Sequence, residues 1–363
     1  MKWKEQILNL KAYQPGRSVA QVKEEFQLEH IVKLASNENP FGCSPLVKEW
    51  LSQFNESFAI YPDGYATILR KELANHLQLQ ESQLLFGNGS DEIIQIISRS
   101  LLKPGMNTVM ATPTFPQYRH NATVEGAEIR EIPLKDGAHD LTAMGEAIDE
   151  NTAIVWLCSP NNPSGIYINE RELTGFLNSV PKDVLIVLDE AYHEYVTAED
   201  YYDARDLIKE YPNLLVMRTF SKIYGLASFR IGYAFGSDQL IRFLEPVREP
   251  FNVNTIGQGV AAVALKDQSF IEKCRAENKK GLNQFYEFCE KNELHYYPSE
   301  GNFILVDFQT NGDDVFQYLM RKGYIVRSGK ALGFPTSVRI TVGSESENEG
   351  VLKAIESFLA EKK

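Results

Sequence analysis

Several apolar runs in this chain end on a side chain that can hold or move a proton. "DVLIVLDEAY" takes five apolar residues, Val184 to Leu188, directly into Asp189. A carboxylate there is costly to bury unless a cation or a donor meets it. "LLVMRTFSK" ends on Lys222, and "RTFSKIYGLASFRIGY" adds Arg230 eight residues later among small and apolar neighbours. "LCSPNNPSG" runs into a turn holding Asn161, Asn162, Pro163 and Gly165. "FGNGSDEII" sets Gly87 and Gly89 directly before a helical pattern, where free N–H groups and the helix dipole favour an anion. Each feature has a plain reading when taken alone. The cations could snorkel, Asp189 could cap a helix or join a structural ion pair, and the Asn-Pro pairs could be turns. The glycines match neither the G-x-G-x-x-G dinucleotide pattern nor the G-K-[ST] ending of a Walker loop.

The surrounding elements bring these residues to one place. "SDEIIQIISRSLLKPG" has Ser90 and Asp91 as N-cap candidates, apolar residues at 93, 94, 97 and 101, and a Pro104-Gly105 stop. "NTVMATP" then reads as a strand and "PQYRHNATVEG" as a helix. "TAIVWLCSP" and "DVLIVLDEAY" are continuous apolar strands separated by the helical "NERELTGFLNSV". Such strands alternating with helices predict a parallel sheet covered on both faces. Beyond residue 250 the pattern changes to a long amphipathic helix over 268–292. The strands "NFILVDF", "YIVRS" and "SVRITVG" and a helix over 345–361 follow. The chain of 363 residues is long enough for two cores. We expect an N-terminal arm at 1–30 packed on the small domain, a large domain at 31–255 and a small α+β domain at 256–363.

Ligands of open α/β sheets bind beyond the carboxyl ends of the strands. A buried carboxylate, an asparagine, a lysine, a phosphate cradle and Arg230 would meet there. That set matches what pyridoxal phosphate needs: a Schiff-base lysine, an anion at the pyridine nitrogen and anchors for the phosphate. No metal site is expected, since the six histidines are scattered with no H-x-x-x-H or H-E-x-x-H. The net charge of −12 argues against nucleic acid or an anionic membrane as a general partner. Cys43, Cys158, Cys274 and Cys289 show no C-x-x-C spacing and read as free thiols of a reducing cytosol. "MKWKEQILNL" lacks the apolar core of a secretion signal, and no run reaches the roughly 18 apolar residues of a membrane span. A cytoplasmic protein is expected.

"SPNNPSG", "DEAYHEY", "RTFSKIYGLASFRIGY" and "VRITVG" resemble the fold-type I aminotransferases. "YQPGR", "LASNENPFG" and "YPDG" resemble, more narrowly, the histidinol-phosphate aminotransferase family. The match runs through nearly the whole chain in order. It implies an α/β fold with a mostly parallel seven-stranded sheet flanked by helices, plus the small α+β domain. It implies that Lys222 carries pyridoxal 5'-phosphate as a Schiff base and then shuttles the substrate proton. Asp189 would hold the pyridine nitrogen protonated, and Asn162 and Tyr192 would hydrogen-bond the ring's phenolic oxygen. Arg230, Ser221, Thr219 and the backbone around Gly89, Ser90 and Asp91 would hold the cofactor phosphate. Phe115 falls where the family stacks an aromatic on the cofactor, with Tyr118 as the alternative. Tyr61 corresponds to a residue that reaches the phosphate in the neighbouring subunit, which implies a homodimer with shared sites. Arg327 and Arg339 would bind the substrate phosphate, with Tyr13 and Asn37 or Asn39 as additional contacts.

The resemblance implies a ping-pong transfer from L-histidinol phosphate to 2-oxoglutarate, yielding imidazole-acetol phosphate and L-glutamate in histidine biosynthesis. Two neighbouring activities compete with it. One is aromatic amino acid transamination, since Arg339 sits where aminotransferases grip a carboxylate. The other is a lyase that decarboxylates threonine phosphate. A regulator built on the same fold is set aside, because the enzyme-like motifs begin at residue 13 and leave no room for a DNA-binding domain.

Overall fold

The computed structural model describes residues 1–10 and 16–362. Its larger sheet has seven strands in the order Leu84–Asn88, Ile231–Phe235, Leu214–Thr219, Leu185–Asp189, Thr152–Cys158, Asn107–Thr112 and Glu128–Pro133. Ile231–Phe235 pairs antiparallel with both neighbours, and the other pairings are parallel. The fold is therefore α/β with a mostly parallel central sheet between helices.

The apolar strands are continuous because both sheet faces are buried. Val155, Leu157, Ile186, Leu188, Leu214 and Val216 join one core. Their alternates Ile154, Trp156, Leu185, Val187, Leu215 and Met217 join the other. Successive strand side chains point to opposite faces, so two cores consume every position until the strand ends.

A second sheet of four antiparallel strands runs in the order Arg327–Ser328, Ser337–Thr341, Phe303–Asp307 and His295–Tyr297. Phe285 and Cys289 of the long helix Gln268–Lys291, with Val351, Ile355 and Phe358 of Glu345–Lys362, build its core. The segment "YIVRS", which reads as one strand, is two. Tyr324–Ile325 pairs parallel with Val32–Lys33, whereas Arg327–Ser328 pairs antiparallel with Ser337–Thr341. The chain changes partner at Val326, so no single ladder spans the segment.

Residues near the N-terminus contact both parts of the molecule. Helix Val19–Phe26 buries Val22 with Ala35, Met320 and Ile325. Lys4 and Gln6 instead donate to the Val124 carbonyl, at 3.1 and 3.2 Å, near the end of helix Pro116–Glu125. Among the described residues no helix is long and apolar enough to cross a membrane.

Candidate active site

Three adjacent parallel strands end together, with Cys158 opposite Asp189 and Asp189 opposite Met217. This register puts the Asn161-Asn162 turn, Asp189 and the Lys222 loop side by side at one sheet edge. Asp189 is 3% exposed. Its Oδ2 accepts from the Tyr118 hydroxyl at 2.6 Å and its Oδ1 from the Ala191 N–H at 3.1 Å. Burial pushes its carboxyl up to about 6, while the Tyr118 and Ala191 hydrogen bonds pull it back. No ion pair reaches Asp189 among the described residues.

Tyr118, the alternative to Phe115 as a stacking ring, is fully buried with one face on Trp156, ring centres 4.8 Å apart. Phe115, the residue before helix Pro116–Glu125, is only partly buried and meets Tyr118 edge-on at 5.6 Å.

Lys222 is partly buried. Its Nζ donates to the Ser36 carbonyl at 3.3 Å and lies 5.5 Å from the centre of the Tyr192 ring. Burial lowers its amine to about 8; Arg339 and, more weakly, Arg230 push the same way, against Glu38 and Asp91. Asn39 braces the loop. Its Nδ2 donates to the Ile223 carbonyl at 2.6 Å and contacts Cys274 Sγ at 3.3 Å, while its Oδ1 accepts from the Phe41 N–H. The Asn39 amide is thus spent on protein groups beside Lys222.

Helix Ser90–Leu101 opens one residue earlier than its polar residues suggest. Gly89 occupies the N-cap at φ 78°, and Ser90 and Asp91 fall in the first turn. The reason is steric. A Cβ at Gly89 would lie 2.5 Å from Arg230 Nη2, and one at Gly232 would lie 2.4 Å from the Ser90 nitrogen. Arg230 itself has a left-handed backbone at φ 57°. Its guanidinium meets Asp91 Oδ2 at 3.2 Å, Ser221 Oγ at 3.5 Å and the Ala227 carbonyl at 3.3 Å. Thr219 Oγ1 accepts from the Ser221 N–H at 3.1 Å and faces the Ile231 carbonyl at 3.4 Å, which shapes this corner. Backbone donors, a helix N-terminus and a guanidinium therefore converge on one side of Lys222.

The small sheet closes the other side. Arg339 Nη1 donates to Asn162 Oδ1 at 2.5 Å and Nη2 to the Ala35 carbonyl at 2.7 Å, with its guanidinium 5.4 Å from the Phe303 ring centre. Arg327 is the cross-strand partner of Arg339. Asn37 Nδ2 donates to the Tyr192 hydroxyl at 2.9 Å. Burial holds that phenol above the usual tyrosine range, opposed by Arg339 and the Asn37 hydrogen bond. Tyr61 is not brought into the group; its ring is 78% exposed and stacks on Phe251, centres 4.8 Å apart. Tyr13 lies outside the described residues. Among the described residues, no group of three His, Cys, Asp or Glu side chains could hold a metal.

The model of the family "Aminotransferase class I and II" matches residues 29–355. The chain belongs to the class I and II aminotransferases. Within that family it is 60% identical to the histidinol-phosphate aminotransferase of Geobacillus sp. strain WCH70, over 100% of this chain and 99% of that one. It is 56% identical to that of Bacillus subtilis strain 168, over 99% of this chain and 100% of the relative. In fold, this aminotransferase resembles the Sinorhizobium meliloti histidinol-phosphate aminotransferase solved with pyridoxal-5'-phosphate, with TM-score 0.88, 24% identity and 98% of each chain covered. It also resembles the L-threonine-O-3-phosphate decarboxylase of Porphyromonas gingivalis, with TM-score 0.79, 24% identity and 91% and 100% coverage.

One pair in the aminotransferase escaped the reading of its sequence. Arg218 Nε donates to Glu190 Oε2 at 2.7 Å, and both side chains are buried directly behind the Asp189 and Lys222 loops. The available signal was an arginine inside an apolar strand, four residues before Lys222.

Proposed function

We propose that this aminotransferase moves the amino group of L-histidinol phosphate to 2-oxoglutarate, using pyridoxal 5'-phosphate, and serves histidine biosynthesis. The single observation that carries the substrate is the cross-strand placement of Arg327 opposite Arg339 at the mouth of the site. Like charges directly opposite each other destabilise a sheet, and a dianionic phosphate between them offsets that cost. The full-length relatives at 55–60% identity carry the same activity in their names, which favours it over the lyase.

The residues present fit the cofactor. A buried carboxylate with no ion pair among the described residues suits a protonated ring nitrogen, and the space a Gly89 side chain would fill is reserved beside Arg230. Pyridoxal phosphate, when bound, supplies an aldehyde for covalent capture and a ring that withdraws electrons. Asp189 would sit at the ring nitrogen, Phe115 against the ring, and Asn162 and Tyr192 at the phenolic oxygen. Arg230, Ser221, Thr219 and the N–H groups at Gly89, Ser90 and Asp91 would surround the phosphate.

Lys222 Nζ is the proton carrier. Its lowered basicity leaves a substantial neutral fraction near neutral pH, as a base requires. It takes the proton from the substrate carbon that bears the amine. Arg339 and Arg327 hold the far end of the substrate and so orient that carbon toward Nζ. Asn162, tied to Arg339, links substrate grip to cofactor position. The exposed group of Phe58, Ile60, Tyr61, Tyr65, Ile68 and Phe251 favours a homodimer in which Tyr61 serves the neighbouring subunit. A cytoplasmic setting accords with the buried free thiols Cys158, Cys274 and Cys289.

A substrate panel tests the proposal. Histidinol phosphate should consume the visible absorption of the resting enzyme and form glutamate when 2-oxoglutarate is added. Release of carbon dioxide from threonine phosphate, without amino transfer, would replace the proposal with the lyase.

A further inference from the structure

We infer that Asn37 is a positioning residue that sets the direction of the hydrogen bond at the Tyr192 hydroxyl, turning the phenol proton toward the cofactor. This rests on the pyridoxal phosphate reading above and adds to it how one of the site's donors is aimed.

Asn37 is 1% exposed and has a left-handed backbone at φ 55°. Its main-chain N–H donates to Thr341 Oγ1 at 2.9 Å. An N–H can only donate, so Thr341 Oγ1 accepts there and its own proton is free for a second partner. That partner is Asn37 Oδ1, at 3.0 Å. The reversed amide would leave the proton of a buried hydroxyl without an acceptor among the described residues, at a cost of about 1–3 kcal/mol. The Asn37 oxygen therefore faces Thr341 and its NH₂ faces Tyr192 Oη, at 2.9 Å.

The amide has no acceptor to offer the phenol from that side. Tyr192 must accept from Asn37 and send its proton elsewhere, and no described protein group receives it. Its ring lies beneath Lys222 Nζ, so the site itself is the direction left. Asn302 Nδ2 pins the Asn37 carbonyl at 3.0 Å and holds the turn. Thr341 lies two residues from Arg339 on strand Ser337–Thr341, on the same face. The strand that carries the substrate arginine thus also orients the amide that aims Tyr192. Asn37 acts on the site through Tyr192.

The titratable groups facing the Tyr192 phenol include Arg339 from the small sheet, Cys158 and Asp189 from the large sheet, Tyr195 from the turn that follows Tyr192, and Lys222 over the ring. None of these is altered by the test substitutions. The holoenzyme of the parent, Asn37→Ala, Thr341→Val, Tyr192→Phe and the Asn37→Ala/Tyr192→Phe double variant is titrated with pH, without substrate, and its visible absorption is followed. A donor to the cofactor's phenolate favours the charged form, so weakening it raises the spectral midpoint. Asn37→Ala and Thr341→Val should each raise it by about half a unit to one unit, the scale of one hydrogen bond. Asn37→Ala should add nothing once Tyr192 is Phe. An unchanged midpoint in folded Asn37→Ala, or an equal shift in the Tyr192→Phe background, overturns the inference. If Asn37→Ala does not fold, the near-isosteric Thr341→Val decides by the same criteria. Absence of any borohydride-reducible cofactor linkage in the parent would overturn the cofactor reading itself, a separate outcome.

Discussion

Arg327 and Arg339 are direct cross-strand partners on antiparallel strands of the small sheet. Arg339 is held by Asn162 and the Ala35 carbonyl, whereas Arg327 has no ion pair among the described residues. A Cβ built on Gly16 would lie 3.5 Å from Arg327 Nη1, so the N-terminal segment passes close to this guanidinium.

The two arginines should separate by substrate. Arg327→Ala should lower kcat/KM for histidinol phosphate roughly ten- to hundredfold and leave phenylalanine nearly unchanged, because only the phosphate needs the second cation. Arg339→Ala should impair both donors. Equal losses in both assays for Arg327→Ala would move the aromatic aminotransferase to first place.

Lys222 should govern cofactor capture with a pH dependence of its own. Its neutral amine is the nucleophile, so covalent loading of cofactor-free protein should speed up as pH rises through about 8. Arg339→Ala should move that midpoint upward, since a neighbouring cation disfavours the ammonium form. Lys222→Ala should fold and hold cofactor only non-covalently; stopped-flow absorbance and borohydride trapping check both points.

Asp189 and Tyr118 should act as a pair. Asp189→Asn should retain cofactor but lose orders of magnitude in rate, each tenfold being about 1.4 kcal/mol. Tyr118→Phe keeps the stack on Trp156 but removes a donor that favours the carboxylate, so cofactor should dissociate at higher pH than in the parent. Without cofactor, the folded carboxyl titrates near 6 against 3.8 for a free aspartate, so folding favours the protonated form. Stability of the cofactor-free protein should therefore fall as pH rises from about 4 through about 6, and Asp189→Asn should flatten that slope in urea melts.

The exposed ring of Tyr61 should be covered in solution. Sedimentation should report a dimer, and Ile68→Asp should weaken it, because a charge would enter an apolar contact. Mixing Tyr61→Phe chains with Lys222→Ala chains should restore activity, since one site of the hybrid carries both lesions and the other none. Full activity of a monomer would exclude sharing.

Sequence by itself determined the fold class, the family and the residue types of the site. Apolar strands that end on Asp189 and near Lys222 could only lie in a sheet buried on both faces, with their charged ends at one edge. These are local regularities, set by the two-residue period of a strand and by the cost of burying charge. Tertiary structure alone decided how the site is braced. Tyr118 reads equally well as a stacking ring and as a hydroxyl donor until Trp156 is seen against its face and Asp189 at its oxygen. Ser90 looks like a helix cap until Arg230, 140 positions on, is found filling the space beside Gly89. Asn37 meets Thr341 and Tyr192 across 304 and 155 positions. A hydrogen bond between residues so far apart leaves no periodic trace in the chain, because its direction depends on where two separate sheets come to rest.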